Sequence, residues 1–273
     1  KIAIYYYSGT GNTKSGVEHM KKCFEKHNDT CELISICDNP SFEPERYDLL
    51  GFASPVYHGF PAKVMIDFIG KISCCTKELP AFTILCPCFN LFELGYWGAK
   101  EHFYEMLAEK NIRVLSESGF FGEASHPVIR TFFLGPFIKC IGAPYLSKGR
   151  PDSRDTAAIS DLSETIKKEF NNYKSGIVPK LPHSKIKKWI STNVVFPFVE
   201  YCNKHFLIKS VDIKKCTGCG ACSKVCPVNA IILNDYPVFQ TLCIHCQNCI
   251  NICPNDAIKY NTLRNVNQYR SNY

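Results

Sequence analysis

A tandem cysteine pattern near the C-terminal end of this 273-residue chain constrains its fold more than any other feature. The segments CTGCGACSKVCPVNAI and CIHCQNCINICPNDAI share the spacing C-x2-C-x2-C-x3-C-P, and the second begins 27 residues after the first. The repeat extends beyond the cysteines, because each run ends in a proline and is followed by the same Ala-Ile pair. Internal repetition of this kind predicts a pseudo-twofold unit whose two halves bury one shared core.

The spacing of these cysteines predicts two 4Fe-4S clusters. Three thiolates on a tight loop can bind three irons, and in runs of this spacing the fourth cysteine ligates the other cluster. The expected ligands are Cys216, Cys219, Cys222 and Cys253 for the first cluster, and Cys243, Cys246, Cys249 and Cys226 for the second. Zinc is the alternative, but zinc sites draw their four ligands from C-x2-C pairs rather than from two triplets that are each followed by Cys-Pro.

Residues 208–262 therefore resemble a bacterial-type two-cluster ferredoxin, a small α+β domain. The resemblance implies low-potential one-electron transfer. The chain has 17 cysteines but no apolar signal region at its start, so we expect reduced thiols and metal thiolates in a cytoplasmic protein rather than a secreted disulfide scaffold. No run of about 18 uncharged apolar residues occurs, and we expect no membrane span.

Strand and helix patterns alternate from residue 1 to about residue 175. The predicted strands cover residues 2–7, 31–36, 47–53, 81–86 and 114–121, and the predicted helices cover 12–27, 61–72, 97–110 and 153–173. Such alternation favours an α/β fold with a mainly parallel sheet covered on both faces. Five strands suit a flavodoxin-like order 2-1-3-4-5, in which ligands bind at the carboxyl ends of the central strands.

The loop after the first strand has the composition of a phosphate-binding turn. It lacks the G-x4-G-K-[ST] spacing of a Walker A loop, and Lys14 replaces the third glycine of a dinucleotide fingerprint. Hydroxyl side chains and backbone amides at a helix N-terminus can hold a terminal phosphate. The alternative is a Gly-rich turn that caps the helix and binds nothing. The residues concerned are Ser8, Gly9, Thr10, Gly11, Asn12 and Thr13.

This loop resembles the [ST]-x-T-G-x-T phosphate loop of flavodoxins, and the resemblance, which covers residues 1 to about 175, implies bound FMN. The flavin ring is then expected across the loops that follow the third and fourth predicted strands. The residues expected near it are Pro55, Tyr57 and Gly59 in the first of these loops, and Cys86, Pro87, Cys88, Phe89 and Asn90 in the second. Both loops depart from common flavodoxin sequences.

The predicted domains are a flavodoxin-like domain at 1–175, a basic connector at 176–207, a two-cluster ferredoxin domain at 208–262 and a tail at 263–273. Three prolines in the connector are expected to limit its regular structure. Residues 174–215 carry nine lysines and two acids, which accounts for the whole net charge of +7. Such a run is either a solvated surface or a docking patch for an acidic redox partner. Nucleic-acid binding is not expected, because arginines and interleaved aromatics are lacking.

Flavodoxin-like and ferredoxin-like domains in one chain resemble the flavodoxin–ferredoxin fusion proteins of anaerobic microbes. We therefore expect electron transfer between low-potential one-electron carriers, such as a redox partner protein, and FMN through two 4Fe-4S clusters. The alternative is a flavin-dependent reductase of a quinone, nitro compound or other small organic acceptor. Its pocket would be lined by aromatic residues of the 122–152 insert and its flanks, which could equally pack against the sheet: Phe120, Phe121, Phe132, Phe133, Phe137 and Tyr145.

Overall fold

Strands and helices alternate along the N-terminal part of the computed structural model, which describes residues 1–57, 59–87, 97–120, 122, 152–206 and 208–260. The strands here are β1 (Ile2–Tyr6), β2 (Cys31–Ser35), β3 (Leu49–Tyr57), β4 (Phe60–Pro61), β5 (Leu79–Cys86) and β6 (Ile112–Gly119). The helices are α1 (Asn12–Lys26), α2 (Lys63–Lys71), α3 (Trp97–Ala108) and α4 (Ser153–Lys174), with short 3-10 turns at Ile36–Asp38 and Pro44–Arg46.

The sheet has the order β2-β1-β3-β5-β6, and these five strands are parallel. The two-residue β4 turns back antiparallel on β3 and lies outside that order. The predicted flavodoxin-like order of the five main strands is therefore confirmed. A β-bulge between Ala81 and Phe82 shifts the pairing of β5 with β6, so that Thr83 lies opposite Glu117.

Apolar side chains cover both faces of the sheet, as is usual for parallel strands. On one face, Tyr5 of β1 packs in a core that includes Met65 of α2 and Phe103 of α3. On the other face, Ile4 packs with Met20 of α1 and Ile159 of α4. Because the helices fill both faces, the carboxyl edge of the sheet is where loops are left to form a binding site.

A capping box fixes the start of α4. The Asp152 carboxylate accepts a hydrogen bond from the Arg154 amide at 2.9 Å, and the Asp155 carboxylate accepts one from the Asp152 amide at 2.8 Å. The two bonds satisfy donors that a helix N-terminus otherwise leaves without partners. They set the point at which the chain returns to the core after the insert, most of which lies outside the described residues.

Residues 177–184, which include Pro179 and Pro182, form neither helix nor strand, as expected for the connector, whereas the residues that follow are helical and Pro197 does not interrupt them. Helix α5 (Lys185–Ile190), a π-helical turn (Ser191–Val195) and helix α6 (Phe196–Phe206) follow one another without a break. Pro197 stands directly after the π-helical turn, where the Phe196 amide donates to the Ser191 carbonyl five residues back and the regular helical hydrogen-bond pattern is already altered. The buried Glu101 of α3 anchors this segment by accepting hydrogen bonds from the Ser184 amide at 2.5 Å and from His183 Nδ1 at 2.9 Å.

The C-terminal part is a small α+β unit, as predicted. Strand β7 (Lys209–Val211) pairs antiparallel with β10 (Ile258–Tyr260), and β8 (Ile231–Leu233) forms a hairpin with β9 (Pro237–Phe239). Two short helices, α7 (Ala221–Lys224) and α8 (Asn248–Ile252), complete it. None of the helices in the described ranges has the length and apolarity needed to cross a bilayer.

Candidate functional site

The loop of residues 8–13 joins β1 to α1 at the carboxyl edge of the sheet. Gly11 precedes the helix with a φ of 94°, a left-handed conformation that glycine adopts without strain. It has no side chain to cap α1, and the first turn of the helix contains no acidic residue. The Ser8 hydroxyl accepts a hydrogen bond from the Lys14 amide at 3.1 Å, which closes the loop. The helix N-terminus thus presents amide groups and the positive end of its dipole to an anion.

The structure brings the loops after β1 and β3 together. A Cβ built on Gly9 would lie 2.7 Å from Tyr57 Oη, so only glycine allows this close approach. Gly59 has a φ of 83°. Its carbonyl oxygen faces Gly98 of α3, and a Cβ on Gly98 would lie 2.9 Å from that oxygen. Tyr57 therefore borders the phosphate-type loop, whereas Gly59 packs against α3.

The end of β5 lies beside the same loop. Pro55 and Cys86 are register partners on β3 and β5. A Cβ on Gly122 would lie 2.8 Å from Cys86 Sγ and 2.9 Å from Asn12 Nδ2, which places Cys86 next to the start of α1. Pro87 is buried and accepts a hydrogen bond from the Gly122 amide at 3.0 Å. The other expected flavin contacts of this loop, Cys88, Phe89 and Asn90, lie outside the described residues.

A cavity that is partly open to solvent lies between the two sequence repeats of the C-terminal unit. The four cysteines expected to bind the first cluster all line it, namely Cys216, Cys219, Cys222 and Cys253. Burial raises the pKa of the Cys222 thiol, and the Cys253 and Cys216 sulfurs act in the same direction. Four thiols from both sequence repeats thus face one space.

The cysteines of the second set are also neighbours. Burial raises the pKa of the Cys249 thiol to about 12, against the opposing effect of Lys209, and Cys246 and Cys243 are close enough to add to it. Cys226 packs against the same small core as Cys249, and its sulfur accepts a hydrogen bond from the Ala230 amide at 3.2 Å.

Neither set is arranged around a single ion. In the part of the chain that the structure describes, no group of three or more Cys, His, Asp or Glu side chains is placed to hold one metal ion. A 4Fe-4S cluster has a different requirement, because the iron–sulfide cube itself separates the four thiolates.

A lysine lies among the cysteines of the second set. Lys209 Nζ donates a hydrogen bond to Cys243 Sγ at 2.8 Å and lies 5.7 Å from the centre of the Phe239 ring. Burial by itself would lower the pKa of Lys209, because it disfavours the charged form. The nearby Cys249, Tyr260 and Cys243 outweigh this effect and raise the pKa of Lys209. No signal in the sequence marks this residue, because nothing distinguishes it from the other eight lysines of the basic segment.

The second cysteine set contacts the N-terminal domain at the phosphate-type loop. Tyr7, the residue before that loop, is an electrostatic neighbour of Cys246, and burial raises the pKa of both groups. Asn248 Oδ1 lies 2.9 Å from the position of a Cβ on Gly9. Cys37, which follows β2, is a further electrostatic neighbour of Cys246. One end of the ferredoxin-like unit is therefore seated on the edge of the sheet where the loop lies.

Comparison with known proteins finds similarity in both halves of the chain. The family described as 4Fe-4S binding domain matches residues 209–232 and 236–259. Among solved structures, oxidised flavodoxin 1 from Bacillus cereus is 16% identical, with an alignment that covers 61% of this chain and 97% of that one at a TM-score of 0.44. Comparison with curated proteins gave no match.

Two further solved structures are similar to the N-terminal part. A Fusobacterium nucleatum flavodoxin bound to flavin mononucleotide is 17% identical, and the alignment covers 62% of this chain and 98% of that one at a TM-score of 0.41. Rubredoxin oxygen:oxidoreductase from Desulfovibrio gigas is 10% identical over 64% of this chain and 37% of that one, at a TM-score of 0.43. Sheet order and family match together show that the chain joins a flavodoxin-like α/β domain to a ferredoxin domain of the 4Fe-4S binding type.

Proposed function

We propose that this protein transfers electrons between two 4Fe-4S clusters in its C-terminal domain and an FMN at the carboxyl edge of its N-terminal sheet. Iron–sulfur clusters exchange single electrons, whereas a flavin accepts one or two, so the pair would connect carriers of different stoichiometry. The donor or acceptor outside the chain is a low-potential redox partner protein, and we place the reaction in the cytoplasm.

The loop of residues 8–13 is the proposed holder of the FMN phosphate. Its glycines leave the backbone accessible, and the Ser8, Thr10 and Thr13 hydroxyls can donate to phosphate oxygens. The α1 N-terminus, with Gly11 in place of a capping side chain, fits an anion. Tyr57 and Cys86 border the same loop and are, with Gly59, the proposed neighbours of the ring, while the contacts of Pro87 and residues 88–90 stay predictions.

The cysteines are the proposed cluster ligands in the two sets predicted from the sequence. The first set is supported by the cavity that all four of its cysteines line, namely Cys216, Cys219, Cys222 and Cys253. Three of these cysteines belong to the first repeat, and the fourth, Cys253, comes from the second. For the second set, the support is the proximity of Cys243, Cys246 and Cys249. Backbone amides donate to sulfur in both sets, as at Cys226 and at Cys253, where the Ala257 amide lies 3.3 Å away.

The single observation that carries the proposal is the position of Asn248, whose Oδ1 lies 2.9 Å from the position of a Cβ on Gly9. Asn248 stands between the proposed cluster ligands Cys246 and Cys249, and Gly9 belongs to the proposed phosphate loop. Electron transfer rates fall steeply with distance, so a conduit between two centres requires such a contact. We infer that the second cluster is the one that exchanges electrons with the flavin, and that electrons from the partner enter at the first.

The domain boundaries 1–175, 176–207, 208–262 and 263–273 are part of this proposal. The connector carries five lysines and one acid, and an acidic surface on the partner would be attracted to it. Lys188 is engaged by Glu105 of α3, whereas Lys185 and Lys204 are exposed and could meet a partner.

The test uses the full chain, purified without oxygen and reconstituted with iron, sulfide and FMN. We expect two clusters and one flavin per chain, and a reduced low-potential ferredoxin should bleach the cluster absorbance and then the flavin absorbance in stopped-flow mixing. Cys246→Ala should slow flavin reduction at least tenfold, while Cys74→Ala, which removes an exposed thiol outside both sets, should leave it unchanged. A protein that binds no flavin, or a Cys246→Ala variant with the parent rate, would contradict the proposal.

The reductase alternative has no comparable support. Phe120 is buried and packs in the core with Val17 and Ile159, which is a structural role. The other aromatic residues on which that alternative depends lie outside the described residues, and a small-molecule acceptor therefore stays a prediction.

A further inference from the structure

The two halves of the ferredoxin domain can be compared position by position. Residues 27 apart adopt the same uncommon left-handed conformation at three pairs of positions, and most of these residues are not glycine. The pairs are Gly218 and His245 (φ 67° and 54°), Gly220 and Gln247 (72° and 69°), and Asn229 and Asp256 (51° and 50°). The backbones of the two cluster-binding loops are thus alike, and differences between the clusters must come from side chains.

One pair of backbone hydrogen bonds to sulfur is the same in the two ligand sets. Each proposed ligand set contains one cysteine from the other repeat, and each of these accepts one amide hydrogen bond, at 3.2 Å for Cys226 and 3.3 Å for Cys253. The two bonds are equivalent under the repeat. Their effect on the two cluster potentials is therefore nearly the same.

Lys209 breaks the symmetry. Its ammonium group lies 2.8 Å from Cys243 Sγ, among the second set. The position 27 residues later is Tyr236, which carries no charge. In the described ranges, no ammonium group hydrogen-bonds to the first set, Cys216, Cys219, Cys222 and Cys253. The difference in hydrogen-bonded charge between the two environments is one half-buried cation.

The surroundings of the second set make this cation effective. Gln247 is buried, and its amide donates to the His245 carbonyl at 2.7 Å while accepting from Tyr260 Oη at 2.8 Å. Tyr260 is itself buried, whereas its repeat equivalent, Leu233, is 38% exposed. Water therefore has less access to the second set, and charges interact more strongly where water is less accessible.

We propose that Lys209 makes the second cluster the one with the higher reduction potential. Reduction adds one negative charge to a cluster without forming a bond or taking up a proton, and an adjacent cation stabilises that charge. One electron from a low-potential one-electron donor would then reside mainly on the cluster whose Cys246 contacts the flavodoxin-like domain. That consequence rests on the proposed function, but the difference in potential requires no flavin.

The test is a potentiometric titration of the reconstituted full chain, followed by electron paramagnetic resonance (EPR), with and without FMN. Lys209→Met should lower the reduction equilibrium constant of one cluster at least tenfold, which is 59 mV for a one-electron couple, and change the other much less. Lys209→Arg, which keeps the charge, should restore most of the parent value. Lys224→Met removes an exposed lysine of the same domain and should leave both clusters unchanged.

A second readout assigns the affected cluster. In protein labelled with 15N-lysine, the EPR signal of the cluster that is reduced first should show coupling to a lysine nitrogen, and Lys209→Met should abolish it. Equal shifts of both clusters, no shift, or coupling in the cluster that is reduced second would overturn the proposal. If the second cluster has the higher reduction potential but the flavin is never reduced, the proposed function is refuted and this inference still stands.

Discussion

Glu117 gives the most quantitative prediction, because the structure encloses its carboxyl group without providing a partner for one oxygen. It lies on β6 opposite Thr83, and Oε1 makes no hydrogen bond within the part of the chain that the structure describes. Burial raises the pKa of Glu117 from its usual value of 4.5 to about 7, and Lys100 offsets only part of this effect. The folded protein therefore binds the proton more tightly than the unfolded chain does.

The sign of the pH dependence follows from this difference in proton binding. Below pH 4.5 the group is protonated in both states, and it imposes no penalty on folding. As the pH rises from 4.5 to about 7 the unfolded chain ionises first, and stability is lost. One pKa unit is equivalent to about 1.4 kcal/mol, so the loss approaches about 3 kcal/mol above pH 7.

Glu117→Gln should remove this dependence, since glutamine has nearly the shape of the protonated acid. We expect similar urea midpoints for parent and variant at pH 5, and a variant that is more stable by about 1–3 kcal/mol at pH 8. Glu78→Gln is the control, because Arg113 lies 2.6 Å from the Glu78 carboxylate and lowers its pKa. Removing that carboxylate should cost stability above its usual pKa and less as the pH falls, which is the opposite trend. Parallel pH profiles for parent and Glu117→Gln would refute the reasoning.

Three further substitutions test packing, capping and a buried hydrogen bond. Gly16→Ala should destabilise the chain by about 1–3 kcal/mol in urea unfolding, because the added Cβ would lie 1.9 Å from Phe120 Cζ; an unchanged midpoint would contradict this packing. Asp152→Ala removes the capping box and should lower the free energy of unfolding by about 1 kcal/mol, which is measured as a lower thermal midpoint. Asp152→Asn can still cap the helix and should keep most of the parent stability. Tyr260→Phe leaves Gln247 Oε1 without its hydrogen-bond donor and should lower the free energy of unfolding by about 1–3 kcal/mol. The variant should also release iron to a chelator faster than the parent, and release at the parent rate would count against this role.

Much of the fold followed from local pattern. The alternation of apolar strands and amphipathic helices was enough for the order of the five main strands, because right-handed crossovers leave few arrangements of a parallel sheet. Strand ends were less accurate: β3 runs to Tyr57, beyond the predicted end at residue 53. Pairing with β4 extends it, and a two-residue strand has no signal of its own in the sequence.

The connector and the contact between the domains could not be predicted in the same way. Pro197 suggested an interruption, but a π-helical turn just before it lets the helical segment continue. Tyr7 and Cys246 are far apart in sequence, and neither carries a local signal for the contact. Lys209 is one of many lysines until β7 places it beside Cys243. Such features depend on tertiary packing, which the spacing of residues along the chain does not report.

The anchoring of the connector to α3 has a consequence for how the protein would work in a cell. Glu101 holds His183 and Ser184 against the flavodoxin-like domain by hydrogen bonds. The tether between this domain and the ferredoxin domain is therefore the helical segment Lys185–Phe206. A tether of this kind sets a fixed effective concentration of one domain at the other. Electron transfer between the two domains of one chain would then have the same rate at any protein concentration. The expression level would limit only the encounter with the external carrier.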